Sequence, residues 1–212
     1  MSRQTRLILV RHGQTDWNKE NRLQGQTDIP INAIGEKQAK TFSERIIQTY
    51  PNIDAIYSSD LIRAYATALA TAEKYNLQVH KKTGLREINW GEIEGMRIFD
   101  PIANAYLERE AKLATLYPDR RLRWDIPLAP GAESSNQILN RFKKELVEIA
   151  KSHPDQTVLV FSHGRAIRTL IIDLLDSEDF IHMRNCATAH ILIDLQNEHH
   201  NISFHKLEQL ID

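Results

Sequence analysis

The chain has a single cysteine, Cys186, in 212 residues, so it cannot form an internal disulfide and its fold must rest on its own core. It also lacks an excess of either charge. Twenty-seven Lys and Arg face 28 Asp and Glu, for a net charge of −1. Nucleic-acid backbones and anionic membranes are bound through a basic surplus. Neither is expected as a partner, and any basic site must be local. No apolar run approaches the roughly 20 residues of a membrane span. The apolar stretch in the opening MSRQTRLILVRHG is too short for a signal peptide. Seven prolines and eight glycines are too few for a low-complexity chain, and no internal repeat is visible. What is present, 42% hydrophobic and 26% charged residues, is ordinary for a globular protein, and a cytoplasmic enzyme is the expected class. A chain of this size can bury roughly 70% of its extended surface and needs no metal staple.

Short β-rich runs alternate with longer stretches of helical period, which predicts βαβ units. The expected fold is α/β: three αβα layers around a mostly parallel central sheet. Strands are expected at Leu7–Val10, Ala55–Tyr57, Leu77–His80, Val158–Phe161, Ile191–Asp194 and Ile202–His205. Helices are expected at Ala33–Thr49, Leu61–Lys74, Ser134–Ser152 and Ala166–Leu175, with Asn32 and the PGAES turn as start signals. The last two strands are separated by Gln196–Asn201, which predicts a hairpin at a sheet edge, with His199-His200 on its exposed turn. Met96–Pro130 breaks the alternation: a helical signal at Ala103–Leu116 is bounded by Pro101, Pro118, Pro127 and Pro130. It reads as a helical or irregular insertion over the carboxyl edge of the sheet, where α/β folds bind ligands.

Two strand ends carry chemistry. Leu7-Ile8-Leu9-Val10 runs into Arg11-His12-Gly13, and Val158-Leu159-Val160-Phe161 runs into Ser162-His163-Gly164. Adjacent parallel strands would bring both histidines to one site. Ser58-Ser59-Asp60-Leu61-Ile62-Arg63 follows a third strand and puts Arg63 in the first turn of a helix at the same edge. Arg11, Arg63 and His163 together make a pocket suited to a dianionic phosphoryl group.

These motifs carry a resemblance. The stretch from Leu9 to Ala39, LVRHGQTDWNKENRLQGQTDIPINAIGEKQA, is similar almost position by position to the opening signature of the histidine phosphatase superfamily, in its phosphoglycerate-mutase-like branch. SSDLIRAYATA, LREINWGEIEG, PGAES and VFSHGRAIR resemble its later blocks in order, so the match covers nearly the whole chain. The resemblance implies a single domain over residues 1–212, with a lid at about 96–130. It makes His12 the nucleophile, Arg11, Arg63 and His163 the ligands of the phosphoryl oxygens, and Glu87 the proton donor. Asn18, Gln24 and Gly25 match positions that line the pocket. Ile93 stands where the family more often has Trp.

Chemistry makes sense of these roles. A neutral imidazole attacks phosphorus in line while fixed positive charge meets the charge developing on the equatorial oxygens. A protonated carboxyl helps a poor alkoxide depart. No metal or other cofactor is needed, and no spacing in the chain suggests a metal site. Glu92 and Glu94 compete with Glu87, and the motif match favours Glu87. Trp17 reads as core ahead of pocket wall. The mutases of the superfamily typically carry Arg-His-Tyr-Gly after the catalytic Glu. Here Glu87 is followed by Ile88-Asn89-Trp90-Gly91, as in the phosphatases. The expected activity is a metal-independent phosphomonoesterase acting on a small phosphorylated metabolite through phosphohistidine, with a homodimer as the candidate assembly. A 2,3-bisphosphoglycerate-dependent phosphoglycerate mutase is the alternative. A noncatalytic phospholigand-binding module is disfavoured, because both His12 and Glu87 are present. The cations Arg97, Arg109, Lys112, Arg120, Arg121 and Arg123 of the insertion are candidates for reading a second anionic group on the substrate.

Overall fold

Leu7, Ile8, Leu9 and Val10 are all fully buried, which puts their strand in the middle of a sheet covered on both faces. A computed structural model describes residues 4–177, 182–195 and 201–209. That strand, β1 (Gln4–Arg11), lies fourth in a six-stranded sheet of order β3-β2-β4-β1-β5-β6. β2 (Ala55–Ser59), β3 (Val79–Lys82) and β4 (Thr157–Ser162) run parallel with it, whereas β5 (Ala187–Asp194) and β6 (Asn201–Gln209) add antiparallel at one edge.

Alternation along β1 divides the core. Leu7 and Leu9, with Val158 and Val160 of β4, face Phe142 and Leu146 of α6 (Ser135–Ser152) and Ile167 and Leu170 of α7 (Gly164–Leu175). Ile8 and Val10, with Leu159 and Phe161, face Phe42 and Ile46 of α2 (Ala33–Thr49) and Ala68 and Ala72 of α3 (Ile62–Tyr75). The expected three layers follow from this two-residue period. A short α1 (Asp16–Lys19) follows the first strand. Among the described residues no helix is long and apolar enough to cross a membrane.

Local chemistry sets the boundaries. The Asn32 side chain accepts the Gly35 N–H at the start of α2, and Ser134 forms a capping box with Gln137 at the start of α6. The third strand begins two residues later than expected, because Asn76 ends α3 in the left-handed region and the Leu77 N–H bonds back to the Ala72 carbonyl. Leu77 is therefore spent on the helix end. The insertion holds α4 (Pro101–Leu116), capped by Asp100, and α5 (Arg120–Arg123), which the sequence pattern did not reveal. Leu113 and Leu128 anchor it on the α6/α7 side of the core. β5 and β6 pair antiparallel as expected, while the turn residues 196–200, His199 and His200 included, lie outside the described residues.

The segment leaving β1 lies directly on the start of α2. A Cβ on Gly35 would sit 2.2 Å from the Gln14 carbonyl oxygen and 2.8 Å from its nitrogen, and both are backbone atoms that cannot step aside. Gly35→Ala should therefore lower stability by about 1–3 kcal/mol in urea unfolding. It should also reduce turnover, since Gln14 is two residues from His12. An unchanged unfolding midpoint would show that this contact relaxes freely.

Candidate active site

The parallel register pairs Arg11 of β1 with Ser162 of β4, so the next residue of each strand emerges beside the other. His12 and His163 have ring centroids 5.3 Å apart at an interplanar angle of 58°. β2 pairs with the other side of β4, and the turn after it starts α3 with Arg63 as its second residue. Arg63 is fully buried. It donates from Nε to His163 Nδ1 at 3.2 Å, from Nη1 to the Thr27 carbonyl at 2.8 Å and from Nη2 to the Gly25 carbonyl at 2.6 Å.

These contacts settle both imidazole tautomers. A carbonyl can only accept, so His12 Nδ1, 2.7 Å from the Gly13 carbonyl oxygen, carries the proton and Nε2 keeps a lone pair. A guanidinium can only donate, so His163 Nδ1 accepts from Arg63 and the proton is on Nε2. Burial lowers the pKa of both rings well below 6.5, and the Arg63 charge adds to it, so both are neutral at neutral pH. Burial also brings Arg63 down to about 10, which leaves it charged. His163 Nε2 and Arg11 Nε are buried donors with no hydrogen-bond partner among the described residues. Arg11 also donates from Nη1 to the Met183 carbonyl.

Glu87 follows a single 3-10 turn, Thr83–Leu85. Its Oε1 accepts the N–H groups of Ile88 at 3.0 Å and Ala166 at 2.9 Å, and its Oε2 accepts that of Arg165 at 3.0 Å. Two of those donors are in the first turn of α7. Oε2, with one partner, has room for a proton, whereas Oε1 is filled. Arg141 holds the backbone around Glu87 by donating to the carbonyls of Gly84, Arg86 and Glu87. Glu133 of the PGAES block pairs with Arg141 and accepts the Asn89 N–H.

A cavity of about 140 Å³ brings Arg11, His12, Asn18, Gln24, Gly25, Arg63 and Glu87 into one wall. His163 is not in this wall. It is fully buried and touches both His12 and Arg63. Gln24 Oε1 accepts the Thr15 hydroxyl, Asn18 closes the α1 capping box with Thr15, and Gly25 supplies the carbonyl that holds Arg63. The competing acids are committed elsewhere. Glu94 accepts from Gln26, Thr27 and Trp90, and Glu92 from the Tyr106 hydroxyl. Trp17 is partly buried and lines an outer cavity beside Asn18 instead of joining the core.

Sequence reasoning missed Arg22, Trp90 and Arg165 in the cavity wall, although all three stand inside the matched blocks. None of the six insertion cations is in that wall. It also missed the supports: Thr67 accepts the Gly13 N–H, and Asn185 donates to the His12 carbonyl. Those pairs are 54 and 173 residues apart in sequence, and no local pattern links them. No group of three or more His, Cys, Asp or Glu side chains placed to hold a metal ion occurs among the described residues.

Comparison with known proteins identifies the family. Residues 7–206 match the model of the histidine phosphatase superfamily, branch 1. Phosphoserine phosphatase 1 of Hydrogenobacter thermophilus is 37% identical over 174 residues, covering 80% of this chain and 76% of that protein. A probable phosphoglycerate mutase of Salmonella choleraesuis is 32% identical over 189 residues, 87% of this chain and 83% of that one. Among solved structures, a mutant of Entamoeba histolytica phosphoserine phosphatase in complex with phosphoserine superposes with a TM-score of 0.78 at 26% identity. That match covers 97% of this chain and 98% of that one. The chain belongs to the histidine phosphatase superfamily.

Proposed function

We propose that this protein hydrolyses a small phosphorylated metabolite in the cytoplasm by covalent catalysis at His12, as one domain with the 96–130 segment as its lid. The observation that carries the reading is the His12 tautomer: Nδ1 is bonded to the Gly13 carbonyl, and Nε2 keeps its lone pair in a cavity lined by Arg11 and Arg63. His12 Nε2 bonds to phosphorus, the ester P–O bond breaks, and the departing alkoxide takes the proton from Glu87 Oε2. Water then attacks the phosphohistidine and gives its proton to the Glu87 carboxylate. The P–N bond breaks, and inorganic phosphate leaves with His12 and Glu87 restored. Arg11, Arg63 and the His163 Nε2–H supply the positive field and the donor for the equatorial oxygens, so no metal is required. Asn18, Gln24 and Gly25 shape the wall, which Arg22, Trp90 and Arg165 complete. The phosphoserine phosphatase relatives support a substrate of that size. The mutase alternative would pass the same phosphoryl group to a second hydroxyl, and the residues after Glu87 favour water.

Brief reaction with labelled substrate should leave an acid-labile, base-stable phosphoryl adduct on His12, and His12→Ala should abolish both adduct and turnover. Near-normal turnover in that variant would sink the mechanism. Activity should survive exhaustive treatment with a chelator.

His12 is held neutral, so its protonation midpoint should lie well below the ordinary 6.5. Imidazole NMR titration of the ligand-free enzyme measures this without interference from the substrate's own phosphate. A midpoint near 6.5 would contradict the electrostatic account.

Glu87→Gln should slow alkyl phosphates by about a hundredfold or more, and p-nitrophenyl phosphate, whose leaving group needs no proton, far less. Equal losses on both would remove Glu87 from the acid role. The dependence on the leaving group is the useful readout, because the Gln amide also faces the Arg165 N–H.

A further inference from the structure

A cavity of about 460 Å³ borders the phosphoryl pocket, and Arg11, Asn18 and Arg22 belong to both walls. It is built where three segments meet: Gln14 comes from the chain leaving β1, Gln38 from α2 and Arg184 from the chain entering β5. Trp17 and Ile98 add apolar wall. The volume falls in the roughly 300–1,000 Å³ range of small-molecule sites. Neither His12 nor Glu87 is in this outer wall, so bond breaking belongs to the inner pocket and the outer cavity is left for recognition.

Hydrogen bonds within the protein decide what the wall can offer. Gln14 Oε1 accepts from Asn32 Nδ2 at 3.1 Å, and Gln38 Oε1 accepts the Gln14 N–H at 2.8 Å. Asn18 Oδ1 accepts both the N–H and the hydroxyl of Thr15 at 3.2 Å. The oxygen of each carboxamide is thus spent on the fold, which leaves its NH₂ group for the cavity, and an NH₂ group can only donate. Asn185 is turned the other way, with its NH₂ on the His12 carbonyl and Asn18 Oδ1.

Guanidinium groups also only donate, and three stand in this wall. Arg11 is bonded to the Met183 carbonyl, Arg22 to Glu20 and the Gly95 carbonyl, and Arg184 is exposed. No carboxylate belongs to the wall among the described residues. A neutral polyol would bring hydroxyl donors to a lining that is mostly donors already. An acceptor-rich anion meets both the NH₂ groups and the positive charge, and charge-assisted bonds of that kind are the stronger ones. We propose that the outer cavity binds a second anionic group, a carboxylate or a phosphoryl group, on the body of the substrate, with Arg184 and Gln38 as the residues that read it. The inference rests on the phosphoryl pocket proposed above, which neither of these residues lines.

The test uses phosphonates, whose C–P bond the proposed chemistry leaves intact. Calorimetry on the full chain compares 3-phosphonopropionate, 4-phosphonobutyrate and 5-phosphonopentanoate with alkylphosphonates of equal length, and α,ω-bisphosphonates form a second arm. At one length the second anion should tighten binding by about tenfold or more, and the arm with the larger gain names the anion. Gln38→Glu keeps the oxygen that holds the Gln14 N–H but replaces the NH₂ with negative charge, and it should abolish the gain. Arg184→Gln should cut the gain by about threefold or more. The gain is a ratio read within each protein, so a general weakening of phosphonate binding does not imitate its loss, and the two substitutions lie on separate segments, so either one that folds decides. A missing gain beside intact alkylphosphonate binding would overturn this inference alone, as would a gain that both variants keep. Alkylphosphonates that fail to bind would instead overturn the phosphoryl pocket, and the outer subsite with it.

Discussion

Arg63 is a buried cation held without a bonded carboxylate among the described residues. Its Nε, Nη1 and Nη2 are each bonded to a neutral group: the His163 ring, the Thr27 carbonyl and the Gly25 carbonyl. Glu87, Asp28 and Glu94 act on it only through space. This arrangement leaves the positive charge unquenched in the cavity where the proposed phosphoryl group would lie. The same three bonds do the positioning. They choose the His163 tautomer, pin the backbone from Gly25 to Thr27 against α3, and set a charge beside His12 that helps keep it neutral. The pinned loop is secured from its far side by Glu94, whose carboxylate takes the Gln26 and Thr27 N–H groups and the Thr27 hydroxyl.

The start of α7 is the second hinge of the design. His163 stands at its N-cap, and the N–H groups of Arg165 and Ala166 hold both oxygens of Glu87. A helix N-terminus offers amides without intrahelical partners and a favourable dipole, so the proposed acid and one proposed phosphoryl ligand are set by one helix. Of the three acids between Leu85 and Gly95, Glu87 alone faces the cavity, and that follows from backbone demand. Glu94 is used to close the loop at Gln26 and Thr27, and Glu92 bonds to the Tyr106 hydroxyl.

Much of this was legible in the sequence. Apolar runs marked β1 and β4, the Asn32 cap and the PGAES turn marked α2 and α6, and residues at strand ends marked Arg11, His12 and His163. The parallel pairing of β1 with β4, inferred from two His-Gly strand ends, is what makes one site of them. Glu87 was legible only through its motif, because a carboxylate in a short irregular segment carries no periodic signal. The Thr67 and Asn185 supports were invisible for the same reason that they work: they join distant segments, and only the folded sheet brings those together. Arg165 and Arg22 were hidden in plain view, since an arginine with no assigned role, even inside a matched block, is ordinarily solvated. The start of β3 was misplaced because β propensity cannot show that Leu77 is drawn into a helix cap.

The ligand-free site holds two buried donors, Arg11 Nε and His163 Nε2, with nothing to bond among the described residues, and each such group costs about 1–3 kcal/mol. The cost is offset elsewhere in the core and recovered when oxygens arrive. On the proposed reading the pocket would favour an acceptor-rich, doubly charged group, because a ligand with one oxygen relieves only one donor. It also explains why the charge is carried by arginine and not by histidine. A protonated His12 would bind a dianion well but would have no lone pair with which to attack it. Assigning charge to Arg11 and Arg63, the lone pair to His12 and a neutral donor to His163 would let dianion binding and the proposed nucleophilicity coexist at one pH.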